Sequence, residues 1–433
     1  MLVLLLDYVG STVFLVVAFV AIIIVAVLIL VALFGPGLGY KVSAGIDLSN
    51  DSDEFLHILE ALVDAKVNRQ TDLTVFTNGE KFYEEELAAL SAAKHNINIE
   101  AYIFHEGEIG GRFIDQLAKR ASSGVNVNLV LDAIGNARTR KSFFARLERA
   151  GGRVSWYNGS RWNKLPRVNN RTHRELLVID GQVGFIGGAG VADQWWKGQK
   201  GAPAWRDTMV RVEGDAVANL QATFAENWLE SCGEVLTGPE YFPKSQIQGE
   251  GAVLVVNSTP SGGGATRARI LFQILLASAR KSIQITTPYF LPDHSITKEL
   301  IRAVRRGVKV QILVPGKKSD LWLTRNSSRV AYGELLREGI GIYEYQPSMI
   351  HVKVLLIDGI WGVVGSTNFD NRSFGLNDEV NLAAREDDFC QRLTRDFVHD
   401  LARSECITFE RWRHRSVFSR GPELLGWIFQ REQ

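Results

Sequence analysis

The stretch that decides the fold is residues 351–358, His-Val-Lys-Val-Leu-Leu-Ile-Asp, followed by Gly-Ser-Thr-Asn at residues 365–368. Its alternation of residues, many of them β-branched, predicts a strand that places His351 and Lys353 on one face, ahead of apolar anchors. The imidazole could attack phosphorus or transfer a proton, and the ammonium could stabilise charge on the phosphate oxygens. The stretch therefore predicts a phosphate site.

A second copy of the pattern lies upstream. Residues 172–180 read Thr-His-Arg-Glu-Leu-Leu-Val-Ile-Asp, and residues 187–190 read Gly-Gly-Ala-Gly. In both copies the histidine, the apolar run, the aspartate and the glycine-containing turn have the same internal spacing. A single His-x-Lys pattern is most often a solvated strand edge, and the repetition argues against that interpretation here.

The paired motifs resemble those of the phospholipase D superfamily, which carries two His-x-Lys-x(4)-Asp motifs on one chain. Membrane-anchored bacterial cardiolipin synthases are the most similar group, and the resemblance covers about residues 75–405. It implies transfer of a phosphatidyl group from phosphatidylglycerol to a lipid alcohol through a phosphohistidine, with no metal and no cofactor. Two positions depart from the family pattern: Glu175 stands where the family has Lys, and Gly190 stands where it usually has Asn.

The resemblance also implies roles for individual residues. His173, His351 and Lys353 would be catalytic, with the carboxylate of Asp207 orienting His173 and that of Glu379 orienting His351. A carboxylate bound to one ring nitrogen fixes the tautomer and raises the basicity of the other nitrogen. The family usually assigns the nucleophile to the first-half histidine, but the intact motif here is the second one, so this assignment stays open. The remaining candidates are phosphate- or substrate-binding Arg171, Glu175, Ser366 and Asn368, and structural Asp180, Asp358, Asn371 and Arg372.

Glu175 changes the expected site by two charge units relative to Lys. Each unit is worth about 4 kcal/mol at ~4 Å and an effective dielectric constant near 20. Three interpretations are open: Glu175 binds a hydroxyl of the acceptor, the first half is degraded and only binds lipid, or the residue is an inactivating substitution. The first is favoured because the histidine and both carboxylates of the first half are present. Arg171 is predicted to lie on the face of His173, within reach of Glu175 or the phosphate, and Arg174 on the opposite face.

Repeated elements predict an α/β fold in two halves. Each half reads strand, helix, strand, helix, strand and motif strand, with helices predicted at residues 110–123 and 295–306. Strands separated by helices favour an α/β sandwich with a largely parallel sheet. By the resemblance, two pseudo-symmetric phospholipase D-type α/β sandwich halves pack face to face, with both motif strands at the seam.

An unbroken apolar run at residues 13–34 predicts one N-terminal transmembrane helix, because ~1.5 Å per residue gives roughly 33 Å. No basic residue precedes the run and no small-x-small site follows it, which disfavours a cleaved signal peptide. The positive-inside tendency favours a cytoplasmic body, and the resemblance implies the bacterial inner membrane. The predicted divisions are an anchor at 1–41, a connector at 42–74 with a short amphipathic helix at 53–66, a first half at 75–231, a linker and loop at 232–265 with the loop at 258–264, a second half at 266–405 and a basic amphipathic tail at 406–433. The tail either binds an anionic lipid surface or packs on the body.

The balance of charged residues limits the classes of partner that the chain is expected to bind. Lys plus Arg (49) nearly balances Asp plus Glu (48), so nucleic acid is not expected as a partner. The expected partners are a membrane with phosphatidylglycerol and other anionic phospholipids, and a homo-oligomer is left open. Three scattered cysteines show neither a disulfide framework nor metal-ligand spacing. The alternatives are a phospholipase D that uses water, a phosphodiesterase or nuclease, and a non-catalytic protein that binds anionic lipid.

Overall fold

The computed structural model describes most of the chain. Within it, residues 13–27 form an exposed helix, α1. None of the helices in the described residues has the length and apolar character needed to cross a membrane. The predicted span at 13–34 lies partly outside these residues, as do the loop at 258–264 and the tail at 406–433. The described residues are 13–27, 39–43, 48–158, 170–199, 201–244, 247, 251–260, 265–320 and 322–415.

The first half is built on a seven-stranded sheet. Three of its strands, β3, β4 and β5, pair in parallel, and all other adjacent strands pair antiparallel. In spatial order the strands are β2 (Thr71–Thr77), β9 (Thr208–Gly214), β8 (Val183–Gly187), β7 (Leu176–Ile179), β3 (Asn96–Ala101), β4 (Asn126–Asp132) and β5 (Arg153–Tyr157). Its helices are α3 (Gly79–Ala92), α4 (Glu108–Ser122), α5 (Ala145–Arg149), which follows a 3₁₀ turn at Lys141–Phe144, α6 (Asp193–Trp196) and α7 (Ala216–Cys232).

The second half repeats this order, and β10 takes the place of β2. In spatial order its strands are β1 (Val67–Asn68), β10 (Ala252–Ser258), β16 (Asn377–Arg385), β15 (Trp361–Gly365), β14 (Val354–Ile357), β11 (Ser282–Thr286), β12 (Lys309–Pro315), β13 (Gly341–Tyr345) and β17 (Ser404–Ile407). Its helices are α2 (Asp53–Val63), α8 (Arg267–Ser278), α9 (His294–Arg305), α10 (Trp322–Arg337), α11 (Asn371–Gly375), α12 (Asp387–Leu401) and α13 (Phe409–Arg413). The α/β fold in two similar halves is confirmed.

Local sequence explains the elements that repeat. The helices α4 and α9 bury one apolar side each and expose a charged one, which fixes them on their sheets. Gly151 and Gly339 follow the helices α5 and α10 with φ of 97° and 91°, a left-handed conformation that a glycine adopts without a Cβ clash. A buried apolar cluster joins the halves around α7 and α12 and includes the inner faces of both sheets.

The prediction of a largely parallel sheet is wrong. In each sheet the three strands that follow one another through helices are parallel, namely β3–β5 and β11–β13. The motif strands β7 and β14 instead begin antiparallel hairpins with β8 and β15. Only three residues separate the strands of each hairpin, too few for the crossover that a parallel pair needs.

Several predicted boundaries are also corrected. Besides the predicted helix, which is α2, the connector at 42–74 contains β1 and the start of β2, and the linker at 232–265 contains β10, a buried strand of the second sheet. The tail predicted at 406–433 begins inside the body, because β17 pairs with β13 and the Trp412 indole N–H donates to the Arg329 carbonyl at 2.9 Å. These segments extend the sheets beyond the repeat that the sequence shows.

Candidate active site at the seam

Each motif histidine lies just before its strand, in backbone that pairs with the other half. The His173 N–H donates to the Asp378 carbonyl at 2.9 Å, and the His351 N–H donates to the Arg206 carbonyl at 2.7 Å. The short strand β6 (Arg171–Thr172) correspondingly pairs with β16 of the second sheet. The prediction that His351 and Lys353 lie within the strand is therefore wrong, and both imidazoles are carried into the seam.

The carboxylates that hold the two imidazoles are exchanged between the halves. His173 Nδ1 lies 3.0 Å from Glu379 Oε1, and His351 Nδ1 lies 2.9 Å from Asp207 Oδ2. The predicted pairing of Asp207 with His173 and of Glu379 with His351 is thus wrong, although all four residues meet. Because a carboxylate only accepts, each Nδ1 carries the proton and each Nε2 is left for chemistry. Neither half holds a complete histidine–carboxylate pair.

Each carboxylate is itself held in place. Glu379 is fully buried and accepts hydrogen bonds from the Ser366 hydroxyl and the Asn377 amide. Burial raises the pKa of Glu379, but the charge of His173 and the hydrogen bonds from His173 and Ser366 outweigh it and leave the pKa below its usual value. Ser366 was predicted to bind phosphate; instead its hydroxyl donates to Glu379 and accepts from the Val380 N–H at 3.0 Å.

Asp207 is equally constrained. It accepts from the Trp195 indole N–H at 3.0 Å and from the Thr208 backbone N–H at 2.8 Å. Aromatic rings surround both imidazoles: Tyr102 lies 5.2 Å from the His173 ring, and Trp195 and Trp205 lie 5.3 and 5.5 Å from the His351 ring, centroid to centroid. The imidazoles are therefore fixed in orientation by packing as well as by hydrogen bonds.

Lys353 lies against His351. Its ammonium donates to the His351 and Gly188 carbonyls at 3.2 and 3.3 Å and lies 3.1 Å from His351 Nδ1. Burial lowers the pKa of Lys353. The negative charges of nearby carboxylates raise it, with Asp207 having the largest effect, but they do not offset the burial. Burial and then the Lys353 charge lower the pKa of His351, which favours its neutral, nucleophilic or basic form at neutral pH.

Both imidazoles face one cavity of about 380 Å³ at the seam. Asn368 is buried in its wall, and the Asn368 Oδ1 atom has no hydrogen-bond partner among the described residues, as expected of a polar group that awaits a ligand. The predicted Arg171 and Glu175 also line this cavity. Sequence reasoning missed most of the other lining residues, although Trp205 lies two residues before Asp207 and Tyr289 lies in the Thr-Pro-Tyr-Phe stretch at 287–290, after β11. Apart from Arg372, the other lining residues are Tyr102, Ile103, Gly188, Trp195, Trp205, Tyr289, Asp320, Asp370, Ser373 and Asn377.

Comparison with known proteins agrees with this geometry. The family model described as "Cardiolipin synthase, PLD-like domain" matches residues 87–228 and 273–401. The chain belongs to this family. It is 34% identical over 390 residues to cardiolipin synthase 1 of Bacillus anthracis, covering 88% of this chain and 76% of that protein. It is 33% identical over 365 residues to the cardiolipin synthase of Halalkalibacterium halodurans, covering 83% and 72% of the two chains.

A solved structure supports the fold of this cardiolipin synthase-like chain. Phosphatidylserine synthase from Haemophilus influenzae Rd KW20 superposes with a TM-score of 0.66 at 13% identity, over 87% of this chain and 97% of that one. At such identity the likeness concerns the fold alone. It places the whole body, with both phospholipase D-like halves, in one known architecture.

Asp180 and Asp358 occupy equivalent positions in the two phospholipase D-like halves. The Asp180 carboxylate accepts the backbone N–H groups of residues 94–96, and the Asp358 carboxylate accepts those of residues 280–282, at 2.7–2.9 Å. Both residues have positive φ, 53° and 58°. The contacts fit the predicted structural role, because each carboxylate ties the motif hairpin to the start of a core strand, β3 or β11.

The neighbouring arginines divide between the cavity and the core. Arg174 faces away from the cavity as predicted: it is fully buried and donates to the Thr223 carbonyl at 3.0 Å and to Glu226 at 2.7 Å. Arg171 donates to the Asn170 carbonyl at 2.7 Å and lines the cavity. Asn371 begins α11, and Arg372 contributes to the cavity wall, which is a more direct position than the predicted structural one.

Proposed function

We propose that this chain is a phosphatidyltransferase of the cardiolipin synthase type, which transfers a phosphatidyl group from phosphatidylglycerol to a lipid alcohol. The observation that carries the proposal is the pair of imidazoles, each held at Nδ1 by a carboxylate of the other half and facing one cavity with Asn368. The relatives named cardiolipin synthase in Bacillus anthracis and Halalkalibacterium halodurans support the substrate class.

The first step forms a phosphohistidine. One imidazole Nε2 attacks the phosphorus of phosphatidylglycerol, the bond from phosphorus to the glycerol oxygen breaks, and the second imidazole gives its Nε2 proton to that oxygen. Lys353 beside His351 and the Asn368 side chain in the cavity wall supply polar partners for the phosphate as its charge rearranges. Glycerol leaves.

The second step releases the product. The hydroxyl of a second lipid attacks phosphorus, the P–N bond breaks, and the imidazole that lost its proton in the first step takes the proton of this hydroxyl. Each histidine returns to its starting state, so the cycle needs no net proton. With phosphatidylglycerol as acceptor, the products are cardiolipin and glycerol. Water in place of the lipid alcohol would give phosphatidic acid instead.

Both substrates are membrane lipids, so we place the enzyme at a membrane, the bacterial inner membrane by analogy with the relatives. The apolar run at residues 13–34 is proposed as its single anchor, with the body on the cytoplasmic side. The described part of this run, α1, exposes its apolar side chains. Anchoring would concentrate the cavity near its lipids.

The proposal is tested with purified full-length protein in micelles of phosphatidylglycerol, with products identified by mass spectrometry. We expect cardiolipin from the unaltered protein and a loss of at least about 10³-fold in His351→Ala and in His173→Ala. Phosphatidic acid as the sole product would show a phospholipase D. Phosphatidylglycerol binding without turnover would contradict the transferase and favour the lipid-binding alternative.

A further inference from the structure

The two departures from the family pattern, Glu175 and Gly190, lie against each other. Glu175 Oε1 accepts the Ile103 backbone N–H at 3.2 Å. A Cβ atom built on Gly190 would lie 2.9 Å from this same oxygen and 2.4 Å from the Ile103 carbonyl oxygen. Real Cβ atoms do not approach backbone oxygen so closely, so a side chain at position 190 would displace both Ile103 and Glu175. The contact with the Ile103 carbonyl oxygen requires glycine at position 190, and the Glu175 carboxyl group lies against that glycine.

Glu175 also stands between two cavities. One is the 380 Å³ cavity at the seam, called the substrate cavity from here on. The other is an inner cavity of about 20 Å³ that is lined by both Glu175 and Glu86 of α3. That volume holds about one water molecule. The Tyr83 hydroxyl donates to the carbonyl of Gly190, which also lines the inner cavity, at 2.5 Å. Glu86 and Glu175 are 4% and 6% exposed, so two carboxyl groups are buried within one small region.

This environment favours the uncharged form of Glu175. Burial raises its pKa well above the usual value, and the Asp207 charge adds to this, while the Ile103 and Tyr102 N–H groups and the Lys353 charge only partly oppose it. Burial likewise raises the pKa of Glu86, to about 8. The titratable or charged groups that line the two cavities or interact with the charge of Glu175 are Tyr83, Glu86, Glu100, Tyr102, Arg171, His173, Asp207, Tyr289, Asp320, His351, Lys353, Asp370 and Arg372.

We propose that Glu175 is a neutral carboxylic acid that donates a hydrogen bond to a non-bridging oxygen of the substrate phosphate, in the place where the family has lysine. The inference rests on the proposed function and deepens it. Enzymes use buried carboxylic acids in this way when the pocket keeps them protonated at neutral pH. Relative to lysine the site then loses one positive charge and keeps a hydrogen-bond donor.

The role predicts a distinctive pattern among substitutions. Glu175→Gln keeps the shape and an N–H donor, so we expect its phosphate affinity at pH 7 within about threefold of the unaltered protein. Glu175→Met has a similar size but no donor, and it should bind at least about tenfold more weakly. Glu86→Gln changes the neighbouring carboxyl group, which does not line the substrate cavity, and it is the matched control with unchanged affinity.

The sign of the pH dependence follows from the same role. Below its pKa Glu175 is neutral and donates; as the pH rises through that pKa, the carboxylate forms and repels the phosphate. Affinity should therefore fall at high pH in the unaltered protein and in Glu86→Gln. In Glu175→Gln this particular fall should be absent, because an amide does not titrate.

The experiment measures inorganic phosphate binding to the full-length protein by calorimetry, for all four proteins across pH. Infrared difference spectra of the unaltered protein minus Glu175→Gln give the protonation state, since the Glu86 signal cancels. We expect a protonated-carboxyl C=O band at pH 7 and the affinity pattern above. A carboxylate band at pH 7, or equal affinity in Glu175→Met, would overturn the proposal. Because neither readout needs turnover, failure of this role is distinguishable from failure of the transferase assignment.

Discussion

Asp207 and Glu379 show how closely the two halves depend on each other at the residue scale. Each carboxylate sits on one half and orients the imidazole of the other. The sequence could predict all four residues, because they fall in or near recognisable motifs. It could not predict their pairing, since proximity along the chain suggests partners within one half, and only the pairing of backbone across the seam reverses this.

Replacing Asp207 by Asn should lower kcat by about 10²–10⁴-fold, because the amide no longer fixes the Nδ1–H tautomer of His351. Burial and the Lys353 charge lower the pKa of His351, and the hydrogen bond and charge of Asp207 raise it. Its removal should therefore move any rate-limiting titration of His351 to lower pH. The check is kcat as a function of pH together with ¹⁵N NMR of the imidazoles. A changed tautomer at His173 in place of His351 would contradict the exchanged pairing.

At the scale of elements, the helices α4 and α9 begin and end within two residues of the predicted bounds, because their apolar periodicity and glycine stops are explicit. The strands β1, β2 and β10 were missed. They lie in segments assigned to connector and linker, and nothing in the two-fold repeat of the sequence marks them. Their place is decided by the strands they pair with, β9, β10 and β16.

Arg174 is expected to stabilise the contact between the motif segment, α7 and β10. Its buried guanidinium donates to the Thr223 carbonyl, Glu226 and Asn257. Arg174→Met removes these hydrogen bonds and the buried positive charge, so the free energy of unfolding should fall by about 3–5 kcal/mol in urea titrations. The matched control is Arg305→Met, which removes an ion pair with Glu338 at the solvent-exposed surface and should lower the free energy of unfolding far less. Similar losses in the two variants would refute a structural role specific to Arg174.

In the whole molecule, the described part of the N-terminal segment up to Tyr40 contributes no strand to either sheet, but it contacts the second half. The Tyr40 N–H donates to the Ser295 hydroxyl at 2.9 Å, and the Arg269 guanidinium lies 4.3 Å from the Tyr40 ring centre. Tyr40 therefore joins the segment to the second half. The Arg269 guanidinium also lies 5.2 Å from the ring centre of Phe374 on α11, whose residues Arg372 and Ser373 line the substrate cavity.

Deletion of residues 1–38 keeps these Tyr40 contacts and removes the apolar run. Turnover of short-chain, monomeric phosphatidylglycerol should stay within about threefold. Turnover of vesicle lipid should fall at least about tenfold, because the proposed anchor no longer concentrates the enzyme at its substrate. Parallel assays on the two substrates provide the measurement. An equal loss on both substrates would show that the segment supports the fold and not membrane access.

The central claim is that two histidines brought together from the two halves transfer a phosphatidyl group through a covalent intermediate. The most direct measurement mixes the protein with phosphatidylglycerol, quenches in alkali and locates the adduct by tandem mass spectrometry. We expect a phosphatidyl group on His173 or His351 at early quench times, which decays as a second phosphatidylglycerol molecule accepts it and cardiolipin forms. Cardiolipin formation with no adduct on either histidine, or an adduct on another residue, would contradict it.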